Sequence, residues 1–121
     1  MLVARLASCA TVLIYAAQGC FAADLLPLKR GIFVEKPVGC ENRSNATVIS
    51  YWGNELNSNR VIGEIIKIER NGQKYEVTLE MNSMGEPSGK ELWTLLIDNP
   101  KEMSVTAPGR GATYVWCSSQ M

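Results

Sequence analysis

From Gly31 onward, short apolar runs alternate with polar breaks containing glycine, proline or asparagine. The runs are rich in β-branched and aromatic residues, the pattern of strands on a half-buried sheet. The predicted strands are Gly31–Val34, Ala46–Trp52, Val61–Arg70, Gln73–Met81, Lys90–Ile97, a weaker Met103–Thr106, and Ala112–Cys117. In Lys90–Ile97, Trp93, Leu95 and Ile97 alternate to one side, as strand geometry requires. Lys36-Pro37-Val38-Gly39, Asp98-Asn99-Pro100 and Pro108-Gly109-Arg110-Gly111 carry turn chemistry. Residues 41–45 read as a polar loop and 82–89 (NSMGEPSG) as a flexible one. Residues 53–59 (GNELNSN) read as a loop or a helical turn, and 54–63 is the stretch where a helix competes. No internal repeat or convincing amphipathic helix is found. The expected fold is all-β: a single small antiparallel barrel or sandwich of about six or seven strands with one disulfide.

The strongest local signal is Asn71-Gly72 between two apolar-periodic runs, which predicts a two-residue type I′ hairpin turn. That turn places Ile62, Ile66 and Ile68 opposite Met81, Val77 and Tyr75 on one face. The other face then pairs Glu69 with Lys74 and Lys67 with Glu76, opposite charges facing each other. Glu64, opposite Leu79 on the apolar side, is the one misfit.

Residues 1–22 have the form of an export signal: one charge at Arg5, an apolar stretch from Leu6 to Gly19, and a small-residue site at Cys20-Phe21-Ala22. The stretch is short of the roughly 20 apolar residues a spanning helix needs. Ala17-Gln18-Gly19-Cys20 offers a second reading, a loose lipobox with lipidation at Cys20 and anchoring in the envelope. Cleavage after Ala22 is favoured and leaves 99 of the 121 residues. Residues 23–30 (ADLLPLKR) then form an extended leader, and 31–121 a small β domain. The expected location is periplasmic or secreted, in a Gram-negative bacterium.

The signal contains Cys9 and Cys20, so the remaining chain keeps only Cys40 and Cys117. Even parity in an oxidising compartment predicts the bridge Cys40–Cys117. Closing so long a loop stabilises by roughly 4–5 kcal/mol in the chain-entropy model. The full chain has 12 basic and 12 acidic residues and no histidine. Charge balance argues against a polybasic nucleic-acid binder. The missing histidine excludes Ser-His-Asp and Cys-His catalysis and the commonest metal ligand. No cofactor or metal ligand set is predicted.

Candidate chemistry is correspondingly thin. Glu64 and Glu80 are the carboxylates that a glycosidase-type reading would use, although no nucleophile motif accompanies them. Gly109-Arg110-Gly111 lacks the spacing of a phosphate loop. Asn42-Arg43-Ser44 and Asn45-Ala46-Thr47 match glycosylation sequons and are read as chance. Two binding surfaces are candidates: Tyr51-Trp52-Gly53, aromatics at a strand end that otherwise pack in the core, and Gly85-Glu86-Pro87 in the 82–89 loop.

Leu26-Pro27-Leu28-Lys29-Arg30-Gly31-Ile32-Phe33-Val34, Gly39-Cys40, Ser44-Asn45-Ala46-Thr47, Ser50-Tyr51-Trp52-Gly53 and Tyr114-x-x-Cys117 follow one another in this order. The chain resembles, over most of 26–117, a group of small exported proteobacterial proteins of uncharacterised function. The resemblance implies export and a terminal disulfide, and nothing about chemistry. Members often carry a second cysteine pair in the middle, which this chain lacks. The expectation is a non-enzymatic binding or accessory protein whose partner is another envelope protein or a glycan, with membrane contact only if Cys20 is lipidated. An inhibitor or immunity protein acting on a wall hydrolase or protease is the alternative, and a carboxylate hydrolase the next.

Overall fold

The computed structural model describes residues 24–120. The segment 1–22, expected to be an export signal, and its Cys20 lie outside the described residues. Eight strands follow in order: β1 (Gly31–Glu35), β2 (Val48–Tyr51), β3 (Glu55–Ser58), β4 (Val61–Asn71), β5 (Lys74–Ser83), β6 (Glu86–Asn99), β7 (Glu102–Ala107) and β8 (Arg110–Ser118). Each pairs antiparallel with the next, and β8 returns to β1, closing a barrel. The all-β expectation holds, as a barrel rather than a sandwich. The strand count is eight because residues 55–58, expected to be loop or helix, form β3.

β3 is short and mostly polar, with Leu56 alone fully buried. Its propensity is weak, and pairing with both neighbours supplies the order. The Gly63 N–H donates to Asn57 Oδ1 at 3.1 Å, tying β4 to it. Asn59 and Arg60 both have positive φ, 42° and 65°, so a tight turn stands where a helix competed.

The β4–β5 hairpin corrects the predicted register. Asn71 pairs with Lys74, so the turn is Gly72-Gln73 rather than Asn71-Gly72. Gly72 takes φ 67° and Gln73 is not left-handed, the pattern of a turn that needs glycine first. A bulge between Ile65 and Lys67 then shifts the pairing. Ile65 goes inside, while Ile62 and Ile66 are 48% and 44% exposed. The expected charge ladder is also absent: Glu69 faces Glu76, and Glu64 faces Glu80. Compensation runs along each strand instead, Lys67 to Glu69 at 3.5 Å and Lys74 to Glu76 at 3.8 Å. Barrel closure sets this register, because inward positions must meet Val77, Leu79 and Met81 of β5.

The interior is filled, not hollow. Trp93, Tyr51, Tyr114 and Phe33 are its largest fully buried side chains, packed with Ile49, Leu56, Leu79 and Leu95. The residues before β1 belong to this core. Leu26 and Leu28 are 2% and 5% exposed and join the interior cluster. Their backbone is tied across the barrel end: Leu25 N–H to Gly53 O at 3.0 Å and Lys29 N–H to Pro100 O at 2.8 Å. The leader is therefore a plug.

A second, smaller core lies outside the barrel wall. Ile32, Val34 and Val48 are buried there with Val38, Trp52 and Cys117 packed against them. Residues 36–47 cover this face. Cys40, in a 3-10 turn (Cys40–Asn42), bonds Cys117 of β8 with a Cα–Cα distance of 5.7 Å. The predicted disulfide thus pins the covering loop to the barrel. A second 3-10 turn, Asn45–Thr47, is capped reciprocally by Ser44 and Thr47. The second sequon is part of that turn.

Candidate functional site

Antiparallel alternation puts the leader plug at one barrel end. The β3–β4, β5–β6 and β7–β8 turns lie at the other. At that second end one element stands out. The last residue of β6 paired with β7 is Thr94. Residues 86–93 continue beyond it, paired only with β5. The β5–β6 hairpin therefore rises as a finger past the rim formed by β7 and β8, flanked on its β5 side by β4 and the β3–β4 turn, where Val61 pairs with Ser83.

The finger is regular, which corrects the expectation of a flexible loop at 82–89. Ser83 pairs with Glu86, so the connection is the two residues Met84-Gly85. Both have positive φ, 55° and 85°, as a type I′ turn requires. Met84 at the tip is 77% exposed. The predicted surface Gly85-Glu86-Pro87 lies at this tip, all three residues exposed. A bulge at Ser88, with Met81 paired to Gly89 and Asn82 to Pro87, twists the finger's free edge.

The base of the finger is braced from inside the barrel. Trp93 is buried and its Nε1–H donates to Glu91 Oε1 at 2.9 Å. The Arg110 guanidinium, from the start of β8, lies 5.9 Å from the centre of the Trp93 ring. Gly109-Arg110-Gly111 is thus a plain hairpin corner supplying one stacking cation. Beneath it, Tyr114 is fully buried, and burial raises its phenol pKa while the Arg110 charge opposes the rise. Tyr114 Oη and Arg110 Nη1 make no hydrogen bond among the described residues.

Tyr51-Trp52-Gly53 is not a surface. Tyr51 is fully buried and clamps the leader. Its hydroxyl accepts from Leu26 N–H at 3.0 Å and donates to Gly53 O (3.0 Å) or Leu26 O (3.2 Å). Trp52 packs on the outer core and Gly53 is buried beside the Arg30 guanidinium. Glu64 and Glu80 sit directly opposite each other, both exposed on the outer wall. A shallow depression between Glu69, Arg70 and Lys74 holds about 90 Å³, well below the size of ordinary ligand pockets.

Sequence reasoning missed two features of this site, the Arg110–Trp93 brace and the exposed Ile62, Ile66, Leu92 and Leu96 on the outer wall. The first has no local signal, because its partners are 17 residues apart on different strands. The second had one in the misfit of Glu64 opposite Leu79. No family model matches the chain, and neither does a curated protein or a solved structure.

Proposed function

We propose that the protein is an exported, envelope-associated, non-enzymatic binding protein that engages a protein partner through the β5–β6 finger. The observation that carries this reading is the run of residues 86–93 beyond the β7 pairing, ending in an exposed Met84 on a two-residue turn. A rigid protrusion loses little conformational freedom on binding, and so retains more of its contact energy as affinity. Methionine suits such a tip, since its flexible thioether adapts to irregular apolar pockets. The filled interior directs recognition outward. The signal-like segment 1–22 supports export, and the Cys40–Cys117 bridge is compatible with an oxidising compartment.

The same finger supports the narrower reading of an inhibitor or immunity protein. A braced hairpin with an exposed methionine on its two-residue turn has the shape to enter the cleft of a wall hydrolase or a protease.

Site-specific photocrosslinking in the periplasm tests the reading. A crosslinker at Met84 is expected to trap one defined protein, while the same group at Thr106, exposed on β7, traps none. Equal labelling at both positions, or none at Met84, overturns the finger as the binding element. Loss of lysozyme, amidase or protease activity on adding the purified protein, relieved by Met84→Asp, selects the inhibitor reading. Crosslinking to glycan alone rejects a protein partner.

A further inference from the structure

The tip of the finger carries a residue that its backbone does not call for. A two-residue type I′ turn needs positive φ at both positions and favours asparagine, aspartate or glycine there. The β3–β4 turn, between Ser58 and Val61, meets that preference at its first position with Asn59. The finger turn, between Ser83 and Glu86, places Met84 at the same position with φ 55°. Methionine has neither the short polar side chain that supports this conformation nor the freedom of glycine, so the backbone is strained at Met84. Packing does not explain the choice, because the side chain is 77% exposed and no part of the core. What the position presents is the thioether.

Two other methionines lie among the described residues, and the fold encloses both. Met81 of β5 is 4% exposed and Met103 of β7 is 1% exposed. A thioether is oxidised by peroxides as far as they can reach it. The barrel thus shields two sulfurs and holds the third out at the finger tip. No free thiol competes for the oxidant among the described residues, since Cys40 and Cys117 are bonded to each other.

We infer that Met84 is an oxidant-sensitive modification site, at which conversion of the thioether to the sulfoxide disengages the finger from its partner. The co-reactant is a peroxide, of which hydrogen peroxide is the simplest. One peroxide oxygen bonds to Met84 Sδ, the O–O bond breaks, and the other oxygen leaves as water. The sulfur is oxidised by two electrons and the peroxide is reduced by two. The side chain changes from flexible and apolar to polar and chiral. A sulfoxide oxygen entering an apolar pocket sheds its water without gaining a partner, which weakens binding. A dithiol reductase reverses the step: the sulfoxide oxygen leaves as water and the two thiols become a disulfide. The loss of binding rests on the finger reading, whereas the selective oxidation of Met84 does not.

The disulfide-bonded protein, expressed for export as the full chain, is treated with hydrogen peroxide and mapped by peptide mass. Met84 is expected to gain one oxygen at least about tenfold faster than Met81 or Met103, with Tm unchanged. A photocrosslinker at Glu86 leaves Met84 in place. It is expected to trap the partner before peroxide treatment and about tenfold less after it, and methionine sulfoxide reductase restores capture. Met84→Leu keeps an apolar tip that peroxide cannot oxidise, and its capture survives treatment. Met84→Gln, polar from the start, captures poorly without peroxide. Equal oxidation of the three methionines, or capture unchanged by complete sulfoxide formation at Met84, overturns the inference. Loss of capture in Met84→Leu on peroxide treatment also overturns it, because another residue is then responsible. Absence of capture at Glu86 before any treatment overturns the finger reading instead, and the mapped rates alone then decide whether Met84 is the modified site.

Discussion

Tyr51 and Tyr114 are both fully buried inside the barrel, and removal of either hydroxyl is expected to have opposite consequences. The Tyr51 hydroxyl accepts from Leu26 N–H and donates to a carbonyl of Gly53 or Leu26. Tyr51→Phe leaves a buried N–H without its acceptor, which costs about 1–3 kcal/mol. Among the described residues the Tyr114 hydroxyl makes no hydrogen bond of good geometry, and only the nearby Arg110 charge offsets its burial. Its desolvation is poorly compensated, so Tyr114→Phe removes a penalty and is expected to stabilise by up to about 1 kcal/mol. For a domain of this size, 1 kcal/mol moves Tm by roughly 4–8 °C. Urea denaturation of the oxidised protein, with Tm as a second readout, should place Tyr114→Phe above wild type and Tyr51→Phe below it. The reasoning is refuted if Tyr114→Phe is as destabilising as Tyr51→Phe.

The pH dependence supplies a second handle on the same pair. Burial raises both phenol pKa values above their ordinary value. In the unfolded chain the phenols ionise first, near pH 10. Above that pH the unfolded state releases protons that the native state still holds, so stability falls as pH rises. Below it the contribution is fully present. Tyr114→Phe removes one of the two groups, so its advantage over wild type should widen above about pH 10. An unchanged alkaline limb would contradict the burial argument.

Cys40→Ser with Cys117→Ser should cost about 2–5 kcal/mol in denaturant, with residues 36–47 becoming the first site of limited proteolysis. Leu28→Ala should cost about 2–5 kcal/mol although it lies outside every strand, because Leu28 plugs the barrel. An effect below 0.5 kcal/mol would mean the leader is dispensable. Gly63→Ala should destabilise measurably by the same assay, since a Cβ there would lie 2.5 Å from Leu56 O, a backbone atom that β3–β4 pairing holds in place.

Much of this fold is legible in particular residues. The alternation of Trp93, Leu95 and Ile97 is that of a one-faced strand, and all three point inward. With residues 1–22 set aside as an expected signal, cysteine parity pairs Cys40 with Cys117, the bridge observed. The β4–β5 register was not legible in the same way. Ile62, Ile65, Ile66 and Ile68 allow two inward sets, and only the bulge decides between them. The bulge serves barrel closure, a tertiary demand with no local mark. The leader had a mark that composition obscured: Leu26 and Leu28 alternate around exposed Pro27, the period of a half-buried strand. At the candidate site, Gly85-Glu86-Pro87 reads as part of a flexible loop and is instead the end of a hairpin turn and the start of β6. Gly, Pro and Ser between 82 and 89 suggest a loop, whereas here they act on a strand whose one side is unpaired.

Among the described residues, 86–93 of β6 are paired only with β5, as 66–71 of β4 are beyond the β3 pairing. An unpaired edge attracts any extended chain through its backbone, and proteins blunt such edges with proline, lysine and bulges. All three devices occur within five residues: Pro87, the bulge at Ser88, and Lys90. On the adjoining wall Ile62, Ile66 and Leu92 stand exposed among charged residues. Backbone pairing is indifferent to sequence and would be hard to limit to one partner. Contact through side chains selects its partner by register. The finger is thus protected from the unselective mode of association, and its exposed side chains are left to choose the partner.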